Sequence, residues 1–446
     1  MARRDVARLP LAANDQDSPV PDSSVQPEPE LGAFRNVPYM GVIFVVAEAV
    51  KRGFWNGHPE WSNLGQGQPE VGELDGAPPR IAHVDLEPGD HAYGPLEGTP
   101  ELRASVAAHT NRLFRDGLTP YGAQHVSVAQ GGRLALTRCM AALEGGPVGY
   151  QLPDYTAYED MFNLHLDRID PIGLRTREED GFALTPAAFA AAAREHKLRA
   201  FIVSNPCNPT GVVLSGDTLR ELIDIAKREQ VTLILDEFYS HFIYTPDGEA
   251  GAGPVSGASF IEEPDTDPII LVDGLTKSFR YPGWRVGWVL GPPPMVEAMA
   301  RTASSIDGGP SRIAQRAALA ALQPAAADQE TNALRVAFAA KRNLMLERLK
   351  AMGVRFAHES ESTFYLWGCL DQLPAPLNDA MEFFWRALDR KVMTVPGKFF
   401  DVNPGSRRAP PSPYDQWMRF SFGPSMDNMV QGLDRLQALV DAERRG

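Results

Sequence analysis

From His125 onward, short apolar or β-branched runs alternate with segments whose apolar residues recur every three to four positions. That alternation predicts an α/β fold. HVSVAQGG, from His125, reads as a strand entering a glycine turn, and the following RLALTRCMAALEGG sets Leu134, Arg138 and Ala141 on successive turns of a helix stopped by Gly145 and Gly146. RAFIVSN from Arg199 and VTLILDEFY from Val231 read as buried strands. Between them, TLRELIDIAKREQ gathers Leu219, Leu222, Ile223 and Ala226 on one helical face. Strand, helix and strand in this order make a β-α-β unit, so the sheet is expected to be parallel. Two further runs, PIILVDGL and RVGWVLGP, flank a polar, glycine-containing turn that holds Lys277. Beyond the sheet, TNALRVAFAAKRNLMLERLKAMG from Thr331 predicts a long amphipathic helix. The expected organisation is a disordered leader over residues 1–35, a segment 36–79 that contributes to a small domain and to the site, a large domain over 80–325, and a small α+β domain over 326–446.

Composition narrows the function classes. The chain has 446 residues, 43% hydrophobic and 22% charged, enough for a large and a smaller domain with separate cores. A formal net charge of -14 disfavours non-specific attraction to nucleic acid or anionic membrane, which leaves small-molecule chemistry as the expectation. The three cysteines, Cys139, Cys207 and Cys369, form no C-x-x-C pair, so neither a disulfide framework nor a metal cluster is expected and a reducing cytoplasm fits. The longest apolar candidate for a membrane span, GVIFVVAEAV from Gly41, is short and interrupted by Glu48. The leader lacks the apolar centre of a secretory signal, and its acidic residues do not suit an organelle transit peptide.

Several motifs follow one another along the chain: YGPLEGTPELR, AQGGR, NPCNPTG, DEFY, GLTKSFRYPGWRVGW and, near the end, MRFSFG. In this order they resemble the class I/II aminotransferases, the aspartate-aminotransferase-like branch of fold type I pyridoxal-5′-phosphate enzymes. The resemblance spans nearly the whole chain after the leader. It implies a large domain with a mainly parallel central sheet and helices on both faces, a smaller α+β domain, and a homodimer with shared sites. Pyridoxal phosphate is the implied cofactor, and the implied reaction moves the amino group of an α-amino acid to a 2-oxo acid.

Such an enzyme needs a lysine to attach the cofactor as an internal imine and to shuttle a proton at Cα, and Lys277 between two buried runs is the candidate. A carboxylate must keep the pyridine nitrogen protonated. Asp236, at the end of an apolar strand, fits that role, with Glu237 as the alternative. By resemblance, Tyr239 and Asn208 bond the cofactor's phenolic oxygen, and Tyr155 stacks on its ring, with Tyr158 as the rival. The turn Gly131, Gly132 and Arg133 opens a helix whose N-terminus suits a phosphate, joined by Arg285 eight residues after Lys277. Tyr93 resembles the tyrosine that reaches the phosphate from the neighbouring subunit. Arg419 matches the arginine that clamps the substrate carboxylate, with Gly67 close by.

Two departures qualify the resemblance. The family commonly has a serine three residues before the lysine, and Gly274 stands there, leaving its hydrogen bond to Thr276, Ser278 or water. In SSIDGGPSR, where dicarboxylate-specific members carry an arginine, Arg301 and Arg312 are out of register, so an aromatic or bulky aliphatic amino acid is preferred over aspartate. Phe54, Trp55 and Trp61 are the aromatic residues expected near the mouth. Elimination, decarboxylation, ring closure as in aminocyclopropane-carboxylate synthases, or oxygen-dependent oxidation would use the same lysine, aspartate and arginines. A transcription regulator with an aminotransferase-like sensing domain is the reading from another class.

Overall fold

The computed structural model describes residues 39–445 apart from 246 and 252, together with 33 and 37. The leader expected over 1–35 therefore lies, apart from Ala33, outside the described residues. The apolar run from Gly41 forms helix α1 (Gly41–Lys51), burying Gly41, Val45 and Ala49 at four-residue spacing. After the two-residue strand β1 (Ser62–Asn63) comes helix α2 (Pro100–Phe114), opened by Pro100 and by Thr99, whose side chain accepts from the Leu102 amide.

The main sheet follows. It comprises β2 (Val126–Ala129), β3 (Gly146–Leu152), β4 (Ile169–Arg175), β5 (Ala200–Ser204), β6 (Thr232–Asp236), β7 (Ile269–Gly274) and β8 (Gly287–Leu290), in the order β2-β8-β7-β6-β5-β3-β4. Strands β7, β6, β5, β3 and β4 pair in parallel, while β8 runs antiparallel to both β7 and β2. The helices interleaved with these strands are α3 (Gly132–Ala142), α4 (Ala157–Asn163), α5 (Pro186–His196) and α6 (Gly216–Glu229). As expected, β5, α6 and β6 form a β-α-β unit, and Leu219, Leu222, Ile223 and Ala226 are all buried.

Alternation along the strands decides which face each residue serves. Ile202, Ile234, Ile270 and Val289 join a core with Leu136 and Met140 of α3. Their neighbours Phe201, Leu233, Leu271 and Leu290 pack on the opposite face with Phe189 of α5 and Leu222 of α6. Helices thus cover both faces of a mainly parallel sheet. Each such fully buried side chain contributes roughly 1.5–3 kcal/mol relative to exposure.

Beyond the sheet lie α7 (Pro293–Ile306), α8 (Arg312–Ala321) and α9 (Pro324–Met352). The last begins earlier than the pattern from Thr331 suggests, because Pro324 occupies a first-turn position where its missing N–H is not needed. A small antiparallel sheet has the order β11-β12-β9, built from β9 (Tyr365–Cys369), β11 (Val395–Pro396) and β12 (Trp417–Ser421). It accompanies α10 (Ala380–Asp389), β10 (Val392–Met393) and α11 (Met426–Arg445). Strand β1 pairs in parallel with β10, which ties the segment after α1 to this C-terminal region. No helix of the described residues is long and apolar enough to cross a membrane.

Candidate active site

Parallel strands deliver their carboxyl ends to one edge of the sheet, and ligands in α/β folds settle there. Asn208 follows the end of β5, Asp236 closes β6, and Lys277 lies just past β7. On the same edge, β2 runs into the Gly131–Gly132 turn, and β3 leads to Tyr155. These ends surround a cavity of about 540 Å³ lined by Gly67, Gly132, Arg133, Tyr155, Asn208, Asp236, Tyr239, Thr276, Lys277, Arg285 and Arg419. Eleven of the thirteen sequence-predicted positions therefore meet in one place. Gly131 stands directly behind, as the residue before α3, with φ of 85° that favours glycine. Tyr93 is 99% exposed and is not part of the lining.

The Lys277 amine donates to the carbonyl of Gly67. Burial lowers its pKa to about 7, helped by the nearby charges of Arg419 and Arg285 and opposed by Asp236. Asp236 is pushed the other way, up to about 6, again chiefly by burial. Opposing that rise, the Tyr158 phenol donates to Asp236 Oδ2 at 2.9 Å, and the backbone of Phe238 also bonds the carboxylate. Lysine and aspartate thus both change charge state near neutrality. That is the range in which proton transfer is useful.

The two open alternatives separate by geometry. Glu237 accepts from Ser256 Oγ at 2.5 Å and from the Gly257 amide at 2.7 Å, outside the lining, and burial holds its proton up to about 8. Of these two neighbours, Asp236 is the one that faces the cavity. Tyr155 lines the cavity and accepts from Arg133 Nη2 at 3.2 Å, whereas Tyr158 lies beneath it, edge-on at 5.5 Å between ring centres and committed to Asp236.

Arg419 projects from β12 and is almost wholly buried, at 1% exposure. Its Nη1 donates to Asn208 Oδ1 at 2.9 Å and its Nη2 to the Gly65 carbonyl at 2.8 Å, while Nε has no partner among the described residues. The guanidinium lies 4.1 Å over the Tyr365 ring, whose hydroxyl is 2.9 Å from that of Tyr239. A buried guanidinium facing a cavity without a carboxylate to pair with is a ready receptor for an anion. Near the glycine turn, Arg285 adopts φ of 54° and donates to the Pro282 carbonyl at 3.0 Å. Its guanidinium approaches Gly131 so closely that a Cβ there would collide with it.

Sequence reasoning missed part of the wall. Tyr365, Phe238, Gln66 and Gln68 line the cavity, as do Met40, Val42 and Ile43 around the start of α1. Phe54, Trp55 and Trp61, expected at the mouth, are absent from the lining: Trp61 is buried against Phe54, and Trp55 is 57% exposed beside His58. Their apolar character serves local packing instead. Arg301 pairs with Glu297 at 2.6 Å on the surface and Arg312 lies 3.8 Å from Asp90, so neither reaches the cavity.

Comparison with known proteins places this geometry. Residues 59–436 match the family described as aminotransferase class I and II. An aspartate aminotransferase of Sulfurisphaera tokodaii is 27% identical over 390 residues, covering 85% of this chain and 90% of that protein. A probable aspartate/prephenate aminotransferase of Thermus aquaticus is 32% identical over 321 residues, covering 71% and 78%. Among solved structures, the Thermus thermophilus aspartate aminotransferase with maleate superposes with a TM-score of 0.73 at 25% identity, over 91% of this chain and all of that one. With a match over most of its length and a fold to go with it, the chain belongs to the class I and II aminotransferases.

Proposed function

We propose that this aminotransferase uses pyridoxal phosphate attached at Lys277 to move the amino group of an aromatic or bulky aliphatic α-amino acid to a 2-oxo acid. The observation that carries the reading is the meeting, in one cavity, of a buried amine, a buried carboxylate and a buried guanidinium with an unpartnered Nε. The fit of the cofactor rests on a cradle of glycines at the N-terminus of α3, with Arg133 and Arg285 beside it to receive a phosphate. When bound, pyridoxal phosphate supplies an electron sink for the charge left at Cα when a proton is removed.

The chain's own residues account for the rest. Lys277, largely neutral above about pH 7, is the base that takes the Cα proton and the acid that returns it. Asp236, ionised above about pH 6, is the anion to hold a proton on the ring nitrogen. Tyr155 offers a face for the ring, Asn208, Tyr239 and Thr276 offer hydrogen-bonding groups, and Arg419 with the Gly65–Gly67 segment offers a seat for the substrate carboxylate.

Preference for an apolar side chain is supported by Met40, Val42, Ile43 and Leu136 in the wall. Among the described residues, the arginines lining the cavity are Arg133, Arg285 and Arg419, and the roles above leave none of them for a second substrate carboxylate. Exposed Tyr93 suits a homodimer in which each copy completes its neighbour's site. Three unpaired, buried cysteines suit a reducing cytoplasm. The test is a visible spectrum of the purified protein titrated with phenylalanine, tyrosine, leucine and aspartate in the absence of a 2-oxo acid. Stoichiometric bleaching of the cofactor band by the first three, with accumulation of the aminated cofactor, supports the reading. Formation of 2-oxo acid with oxygen uptake or ammonia release and no amino transfer replaces it with another Cα reaction.

A further inference from the structure

Two neighbouring strands of the main sheet part just before they reach the site. β3 and β5 pair in parallel only as far as Tyr150 and Ile202, although β3 continues to Leu152 and β5 to Ser204. Past that point a side chain takes over from the ladder: the Ser204 amide donates to Asp154 Oδ2 at 3.2 Å. Asp154 is wholly buried, at 0% exposure, and does not line the cavity. Its Oδ1 accepts from the Tyr155 amide at 2.7 Å and bonds the Ser204 hydroxyl. Each of these partners is neutral. Burial of the carboxyl group therefore pushes its pKa up to about 8, against the pull of the three hydrogen bonds.

The groups that Asp154 holds belong to the site. Tyr155 is the ring in the cavity wall, and the bond to its amide fixes the backbone that carries it. The Ser204 hydroxyl accepts in turn from the Asn208 amide at 3.1 Å, and Asn208 Oδ1 is the oxygen bonded by Arg419 Nη1 at 2.9 Å. From the other side, the Asp154 amide donates to the Phe400 carbonyl at 3.3 Å, and the Phe400 ring lies 5.1 Å from the Arg419 guanidinium.

Building on the reading of this cavity as a pyridoxal phosphate site, we propose that Asp154 is a positioning residue that fixes the Tyr155 ring and the Asn208–Arg419 clamp relative to each other. The ring sets the plane of the cofactor and the clamp sets the substrate carboxylate. Their relation decides which bond at Cα stands perpendicular to that plane. Asparagine cannot take this place. In either charge state a carboxyl group can accept from both amides, whereas an asparagine must turn its NH2 against one of them.

The experiment compares wild type with Ser204→Ala, Asp154→Asn and the double variant, each loaded with pyridoxal phosphate. It records kcat and KM for the best of phenylalanine, tyrosine and leucine, the visible circular dichroism of the bound cofactor, and thermal unfolding. Ser204→Ala cuts only the arm to Asn208, so KM rises about tenfold while kcat and the dichroism hold. Asp154→Asn disturbs both arms: KM rises similarly, kcat falls about tenfold or more, and the dichroic band shrinks. KM of the double variant is no higher than that of Asp154→Asn, because the arm is already broken. The proposal is overturned if Asp154→Asn keeps the wild-type kcat and dichroism, or if the two KM effects multiply. Should Asp154→Asn not fold, an unchanged KM in Ser204→Ala overturns it. Hydrogen exchange of the apoprotein reads the same anchor with no cofactor bound. Ser204→Ala speeds exchange at the Asn208 amide, and Asp154→Asn speeds it at Tyr155, Ser204 and Asn208; a change confined to Ser204 in the latter overturns the proposal. If wild type shows no cofactor band at all, the cofactor reading fails, and the exchange pattern still decides whether Asp154 is the anchor.

Discussion

The phenol of Tyr158 and the carboxylate of Asp236 share a 2.9 Å hydrogen bond in the buried floor of the site. A phenol donating to a carboxylate stabilises the ionised form, opposing the burial that lifts the Asp236 pKa to about 6. Tyr158→Phe removes only that bond. The acid limb of the pH profile of kcat is expected to move to higher pH, and kcat at pH 7 to fall about tenfold, while KM for the amino acid changes little.

Adjacent carboxylates should respond oppositely to neutralisation. Asp236→Asn removes the anion facing the cavity and is expected to lower kcat by about a hundredfold or more. Glu237→Gln should leave activity intact, because burial already keeps Glu237 protonated up to about 8. Its folded pKa lies above the ordinary 4.5, so between these values the folded state binds the extra proton and wild-type stability falls as pH rises. The glutamine variant lacks this loss, and its stability relative to wild type is expected to improve from pH 5 to pH 8 in urea titrations.

Lys277 should react as an amine of unusually low basicity. The rate at which apoprotein combines with pyridoxal phosphate is expected to rise through about pH 7 and then level, following the neutral fraction of Lys277. An ordinary lysine would still be gaining rate near its usual pKa of 10.5. Lys277→Ala is expected to lose the protein-bound visible band and at least about a thousandfold of activity.

Arg419 holds two neutral oxygens, one on Asn208 and one on Gly65, that a substrate carboxylate can replace. Arg419→Lys retains charge but loses the planar two-point grip. KM for amino acids is expected to rise about tenfold to a hundredfold, with a smaller change for amines that lack a carboxylate.

Tyr93 offers a test of shared sites. Mixing Tyr93→Ala with Lys277→Ala after partial unfolding and refolding together should restore activity that neither has alone, because a mixed pair contains one site with both residues. No gain on mixing, with Tyr93→Ala fully active by itself, would remove Tyr93 from the site.

The legible part of the site was the part written as contiguous motifs. Asp236 and Lys277 each follow an apolar strand, so their neighbours announce both their depth and the sheet edge they occupy. Tyr365 was not legible. It sits at the start of β9 and enters the cavity only because β9 pairs with β12, an adjacency set by a tertiary register over fifty residues apart. The Met40–Ile43 wall was hidden for a different reason: GVIFVVAEAV reads as a plain apolar helix, and nothing local says that its first turn meets Thr156 closely enough to leave no room for a Cβ on Gly41. Phe54, Trp55 and Trp61 misled in the opposite direction, because bulk and aromaticity do not distinguish a cavity wall from ordinary packing. The main sheet was clear because strand alternation and helix periodicity are local signals that its two packed faces reinforce.

Lys277 and Arg419 grip carbonyls only two residues apart, on Gly67 and Gly65. A ligand that takes either side chain must detach one end of this short loop, and the restraint lost there is subtracted from the affinity measured. Once the first ligand has released its end, the second meets a loop already loosened. Cofactor and substrate can therefore favour each other's binding through the release of these three residues, in addition to any contact they make with one another.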